Sequence, residues 1–265
     1  MEITKPLAPG HGLILRPIET DQYLFGRVTA PLILMEDGQW DEFLPSDEQQ
    51  RKNGLETQNC TVYGTQNAIE ILMARRYWSD QDRGAFDYSE RFTGILAGTT
   101  PDGNDPHLVA ETIREHGLIP ENMLPFSESI DTWNEYYSPK PMTSAYVRMG
   151  RQWDRVYDFK HEWVMPNELL LRRSLRISPL GVGVYAWEID PASGEYISLG
   201  NPNHWCVIYG YVEGEYWKVF DSYDSTRKKL AWDFPFSPAK VYHINEMPPR
   251  GIFGALVDKV EDFLL

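Results

Sequence analysis

Three residues of this chain have the types and the order that thiol chemistry needs: Cys60, His204 and Asp221. A cysteine acts as a nucleophile through its thiolate, which helix-terminal amides or a neighbouring imidazolium favour. Cys60 lies in ETQNCTVYGTQNAIEILM, a polar turn that runs straight into a helical pattern. Asn59 is a favoured N-cap, so Cys60 falls in the first turn, where its own amide could also donate to an oxyanion. His204 follows 144 residues later in HWCVIYGYVEGEYWKVFDSY. This segment reads as two strands folded back near Glu213-Gly214. A two-residue turn there sets His204 opposite Tyr223, with Asp221 its diagonal neighbour on the same face. Diagonal neighbours lie about 7–8 Å apart, within reach of both side chains. Asp221 could then fix the tautomer of an imidazole that faces the thiol.

Each residue alone has a plainer explanation. A lone cysteine is usually an inert small hydrophobe, a histidine among aromatics a packed core residue, and an aspartate in DSYDS a turn former. The shared order, spacing and local context favour the chemical reading. Cys206, two residues from His204, is expected on the same side of the strand. A Cys60/His204/Cys206 zinc site lacks a fourth ligand at a recognisable spacing, so no metal or other cofactor is expected and Cys206 reads as core.

The elements that must position these residues are legible in part. Val62, Gln66, Ile69, Met73 and Arg76 recur at helical spacing after Asn59. Asp105 to Phe126 reads as a second helix with Leu108, Val109, Thr112 and Ile113 on its apolar face and Gly117 as its stop. NELLLRRSLRI (167–177) is a short helix closed by Pro179, and LGVGVYAW a buried strand. Further β-like segments run through Tyr242. Residues 1–45 alternate short apolar runs with Pro, Gly and Asp, which implies short strands and turns. The polar stretch Pro45–Gly54 is an exposed approach to the site. Residues 127–165, rich in Trp, Tyr and charge, show no clean period and are expected to be irregular, with one helix. Ile252, Leu256, Val260 and Phe263 give the tail helical spacing, and it is expected to pack on the body.

Composition bounds the function. The 265 residues, 42% hydrophobic and 24% charged, suffice for one large soluble domain or two packed lobes. A net charge of −14 with no basic run disfavours nucleic acid and anionic membranes. Only two cysteines suit a reducing compartment better than a disulfide scaffold. The start, MEITKPLAPGHGLIL, lacks the pattern of a signal peptide, and no apolar run reaches the roughly 18 residues of a membrane helix. A cytoplasmic protein is expected, with a virion location the alternative.

Taken together, the chain resembles the papain-like cysteine peptidases, a family whose His follows its Cys by roughly 130–150 residues. NCTVYGTQNAIEIL is similar to their nucleophile and central helix, and PHLVAETIREHGLIPENMLPF to their second helix and closing Pro-aromatic. NELLLRRSLRISPLGVGVYA resembles the helix, Pro and strand before the His, and HWCVIYGYVEGEYWKVFDSY the His strand, return strand and Asn-Ser-Trp segment. The likeness spans about residues 45–225 and implies an α+β, two-lobe fold. A helical lobe would carry the central helix after Cys60, and an antiparallel β lobe His204 and Asp221. It implies a β-rich extension over 1–44, a catalytic domain over 45–245 and a C-terminal helix over 246–265. Cys60 would be the nucleophile, His204 the base and acid, and Asp221 the orienting residue where the family usually has Asn. Gly103 and Asn104, in the loop expected to wall the substrate pocket, would bind substrate.

Departures are plain. The family's oxyanion-hole Gln sits six residues before the Cys, where this chain has Gly54. Gln50, returned by a longer loop, is the favoured replacement and Gln58 the rival. Thr61 stands where a Trp usually follows the Cys, Ser222-Tyr223 replaces Ser-Trp, and no inhibitory prosegment is visible before the site. The leading expectation is a thiol hydrolase of peptide or amide bonds acting on a peptide or protein substrate. The alternatives are a transglutaminase-like or cell-wall amidase enzyme and a non-catalytic papain-like module in an assembly. A partner for such a module would meet the aromatic-rich 127–165 segment or the C-terminal helix.

Overall fold

The computed structural model describes residues 12–20, 22–28, 32–45, 48–77, 86–224 and 226–247. Its organising element is the helix Cys60–Tyr77, buried at every position from Cys60 to Met73. A helix enclosed on all sides needs no apolar stripe. Its polar residues find partners instead: Glu70 Oε1 accepts from the Tyr88 amide at 2.9 Å, and Thr65 Oγ1 meets the Tyr242 hydroxyl at 3.2 Å. Gly64 lets the helix close on the sheet, because a Cβ there would lie 2.8 Å from the Trp205 ring.

The helical lobe is completed by Glu90–Leu96, Pro106–His116 and Ser144–Val156. The Asp105 carboxylate caps Pro106–His116 by accepting from the His107 and Leu108 amides, and Gly117 ends it at φ +66°. The expected reach to Phe126 is therefore too long: only a 3₁₀ turn at Glu121–Met123 follows. Leu108 is 40% exposed rather than inward, and Pro106, Val109, Ala110, Thr112 and Ile113 form the buried face.

The β lobe is a six-stranded antiparallel sheet in the spatial order Lys228–Ala231, Tyr216–Phe220, His204–Val212, Leu180–Val184, Ala239–Glu246, Tyr157–Val164. The helix Glu168–Leu175, capped by Asn167, and the buried strand Leu180–Val184 match the sequence reading. The strand Tyr157–Val164 does not, since it lies in the segment expected to be irregular.

The central hairpin holds a compensation. Near its turn Tyr216 pairs with Val212, one residue off the register of a two-residue Glu213-Gly214 turn. A bulge between Lys218 and Val219 then shifts the ladder, so that Val219 pairs with Ile208 and Phe220 with Val207. The extra residue in the turn is cancelled by an extra residue in the strand. Continued past Phe220, this register brings His204 opposite Tyr223 as the sequence implied.

Of the short strands expected over residues 1–45, the described residues carry Gly12–Leu13 and a bridge from Leu24 to Trp163; the rest is largely extended or turned. Helical spacing at Ile252–Phe263 lies outside the described residues. Among the described residues, no helix is long and apolar enough to cross a membrane.

Candidate active site

Cys60 is the first residue of the central helix and has no solvent exposure. Asn59 occupies the cap position, and its carbonyl accepts from the Val62 and Tyr63 amides at 2.9 and 3.0 Å. Its side chain turns elsewhere: Nδ2 reaches the Glu90 carbonyl and the Tyr136 hydroxyl, and Oδ1 accepts from Thr99 Oγ1. The sequence located the helix start, but Asn59 anchors the first turn to its neighbours rather than capping it. With the Val62 and Tyr63 amides taken by the Asn59 carbonyl, the Cys60 and Thr61 amides are the first-turn N–H groups without an intrahelical acceptor.

His204 opens the strand His204–Val212, and Asp221 immediately follows Tyr216–Phe220. Both are buried, and His204 Nε2 lies 2.6 Å from Asp221 Oδ1, a short charge-assisted contact. The Asp221 carboxylate is fully occupied. Oδ1 also accepts from the Tyr223 amide at 3.3 Å, and Oδ2 accepts from Trp187 Nε1 at 2.7 Å and Lys228 Nζ at 2.9 Å. Burial alone would lower the imidazole pKa, but Asp221 and then Cys60 outweigh it and lift His204 to about 10. The converse holds for Asp221: burial raises its pKa, but His204 and Lys228 bring it down to about 2. His204 Nδ1 is buried without a closed hydrogen bond, so the ring nitrogen not engaged by Asp221 is the one left for the thiol. Trp187 and Tyr223 pack on the imidazole at centroid distances of 5.9 and 4.6 Å.

The loop before Cys60 explains the displaced glutamine. Arg51–Lys52 and Leu55–Glu56 form a small hairpin turned by Asn53 and Gly54, at φ +54° and +78°. Against Ser222, the residue after Asp221, this hairpin sets Gln50. Its amide accepts from Ser222 Oγ at 2.6 Å, and its backbone N–H donates to the Ser222 carbonyl at 2.9 Å. Gln50 Nε2, however, donates to Glu56 Oε1 at 2.7 Å. Gln58, at φ +58°, is buried with both side-chain amide atoms unpartnered.

Known structures share this architecture. Xylellain, a cysteine protease from Xylella fastidiosa, superposes with a TM-score of 0.61 at 14% identity, covering 90% of this chain and 97% of its own. Digestive procathepsin L2 proteinase from Tenebrio molitor larval midgut gives 0.55 at 15%, covering 88% and 78%. A mite-allergen structure from work on Blo t 1 and Der p 1 gives 0.52 at 12%, covering 84% and 74%. The fold is papain-like. No family sequence profile matches the chain, and no curated protein matches it either.

Over the Cys60 end of the central helix lies a segment that the sequence reading left as a simple extension. Gly12–Leu13 pairs in parallel with Gly103–Asn104, and the Ile14 amide donates to the Asn104 carbonyl at 2.9 Å. A Cβ on Gly12 would lie 2.8 Å from the Gln58 carbonyl oxygen and 3.1 Å from Cys60 Sγ. Leu13, Leu15 and Ile18 pack on the apolar cluster of Cys60, Trp163 and Trp205. Further along, the strap is fixed to the sheet edge. Trp163 N donates to the Tyr23 carbonyl and Phe25 N to the Trp163 carbonyl, both at 2.8 Å. A chain segment thus covers the thiol where no inhibitory segment was expected.

Trp187 and Lys228 were missed as partners of Asp221. Trp187 gives no signal in the sequence. Lys228 gives a faint one, since strand alternation sets it on the buried face with Leu230. Cys206 packs in the main core, with Sγ 3.8 Å from the Val182 carbonyl.

Among the described residues, His107, Glu111 and His161 bring ligand-type atoms within 4.8 Å of one another. Lys240 Nζ lies between the two rings, 3.3 Å from His107 Nδ1 and 3.0 Å from His161 Nδ1, while His161 Nε2 meets Glu111 Oε1 at 2.9 Å. An amine donating to both Nδ1 atoms makes each Nε2 a protonated donor. The cluster is satisfied within itself and suits a metal poorly.

Proposed function

We propose that the chain is a thiol hydrolase of peptide bonds in which Cys60 is the nucleophile, His204 the proton carrier and Asp221 the group that orients it. One observation supports this most: a buried imidazole held at 2.6 Å by a carboxylate, with a helix-terminal thiol acting on the same ring. The Cys60 thiolate adds to the substrate carbonyl, and the resulting oxyanion meets first-turn amides. The His204 imidazolium gives its proton to the departing amine as the C–N bond breaks, leaving a thioester. Water then adds to the thioester, giving its proton back to His204, and the thiolate leaves.

The pairing of Gly12–Leu13 with Gly103–Asn104 supports an extended peptide as substrate, because that edge already accepts an extended backbone. It also means that residues 12–18 must lift before turnover. For the oxyanion donor, Gln50 serves only if Nε2 leaves Glu56; the side-chain amide of Gln58 is unpartnered and two residues from the thiol.

Cys60→Ser should abolish hydrolysis of an unfolded casein-type substrate while the far-UV spectrum and melting temperature stay unchanged. Undiminished hydrolysis by that variant overturns the assignment. The complete burial of Cys60 beneath Gly12 favours a second reading, a papain-like module used for binding rather than catalysis. A chain that hydrolyses nothing, neither as wild type nor as the strap-releasing Gly12→Val variant, would support it.

A further inference from the structure

Asp221 brings a full negative charge into a buried site, where solvent screens it poorly. A carboxylate 2.6 Å from His204 Nε2 orients the ring, but alone it would also bind the imidazolium proton against release to a leaving group. The second carboxylate oxygen meets that problem. Lys228, 3% exposed, places Nζ 2.9 Å from Asp221 Oδ2, 2.8 Å from Asp224 Oδ1 and 3.4 Å from the Thr226 carbonyl. Those three acceptors match the three protons of an ammonium. The Trp187 ring covers the ammonium at 5.0 Å, and Trp187 Nε1 donates to the same Asp221 oxygen. Lys228 therefore cannot rotate away, and its charge is fixed on the far side of the carboxylate from the imidazole.

We propose that Lys228 is a positioning residue of this site, pairing with Asp221 so that the carboxylate orients His204 while its pull on the imidazolium proton is weakened. The inference rests on the thiol-hydrolase reading. Besides Lys228, the titratable groups around the pair are Cys60 from the central helix, Cys206 from the His strand, and Tyr223 and Asp224 from the loop after Asp221. With Lys228 held between Asp221 and Asp224, the shell around the thiol and imidazole carries one net negative charge instead of two. Removing the ammonium makes the site more negative, which disfavours the thiolate and favours the imidazolium. Both changes move titrations in the same direction.

The test is the pH profile of Cys60 alkylation by iodoacetamide and of kcat/KM, measured on the full chain. Lys228→Met should move the acid limb of alkylation and the basic limb of kcat/KM upward together by about one pH unit. Asp221→Asn should move both downward, and Asp221→Asn/Lys228→Met should return them near the wild-type positions. Lys228→Gln, which also removes the charge, should move them as the Met variant does and serves if that variant fails to fold, while Lys228→Arg, which keeps the charge, should leave them in place. A merely structural lysine would lower rates or melting temperature with the limbs unmoved, and that result overturns the proposal alone. Absence of any low-pH thiolate in the wild type overturns the thiol-hydrolase reading beneath it.

Discussion

Gly12→Val should uncover Cys60. Gly12 has φ +126°, which side chains rarely adopt, and its Cβ would stand 2.8 Å from the Gln58 carbonyl oxygen and 3.1 Å from Cys60 Sγ. The first obstacle is backbone and cannot rotate aside. Backbone strain of this kind costs about 1–3 kcal/mol, borne by the state in which the strap is docked. If alkylation proceeds through the lifted strap, its rate follows the open fraction and should rise about 5- to 150-fold. The assay is iodoacetamide labelling at pH 7 read by peptide mass spectrometry. Cys206 in the core serves as the internal control, opening only with the fold. Gly98→Val is the matched substitution, at φ +65° where an added Cβ meets nothing within 4 Å, and should leave Cys60 slow. An unchanged Cys60 rate in Gly12→Val, or equal acceleration of Cys60 and Cys206, would refute the docked strap.

Stability should vary little between pH 7 and 10 as far as two opposed buried groups set it. His204, raised from 6.5 to about 10, gives stability that is complete below pH 6.5 and lost as pH climbs through 10. Lys240, which burial lowers from 10.5 to about 7, sheds its proton on folding and so gains stability with pH from 7 to 10.5. In urea titrations, His204→Gln should leave stability rising with pH across that window and Lys240→Met should leave it falling; parallel curves would contradict both assignments. Trp187→Phe keeps the ring but removes the donor to Asp221 at 2.7 Å. It should cost about 1.5–3 kcal/mol, checked by the urea midpoint. Gly103→Ala would drive a Cβ to 2.0 Å from the Gly12 carbonyl oxygen at φ +99°. Cys60 should label faster in this variant, yet KM for peptides should rise, since strap and substrate would use the same edge.

What the sequence made legible was local. A capping-type residue before a helical pattern located the head of the central helix, and strand alternation around a Gly-containing turn located the hairpin. The His204–Asp221 register came out right although the turn is one residue longer than read, because the bulge beside Lys218 restores the ladder. No periodicity announces such a compensation. The strand Tyr157–Val164 was illegible for two reasons. It follows the helix Ser144–Val156 with no breaker between them. Its buried polar residues are also satisfied from far along the chain, His161 by Glu111 and Glu162 by His243. Lys228 and Trp187 escaped for the same reason, since a buried charge becomes intelligible only beside its partner. The strap was hidden because Gly12 and Gly103 meet across 91 residues, and nothing local to either records the encounter.

The central claim, that Cys60 and His204 form a working pair, is tested most directly by the pH dependence of Cys60 alkylation in wild type and His204→Ala. The expected result is labelling that, at whatever rate the strap allows, already reaches its plateau well below the ordinary thiol pKa of about 8.5, with that low-pH plateau lost in the variant. Labelling that follows an ordinary thiol titration in both proteins would contradict it.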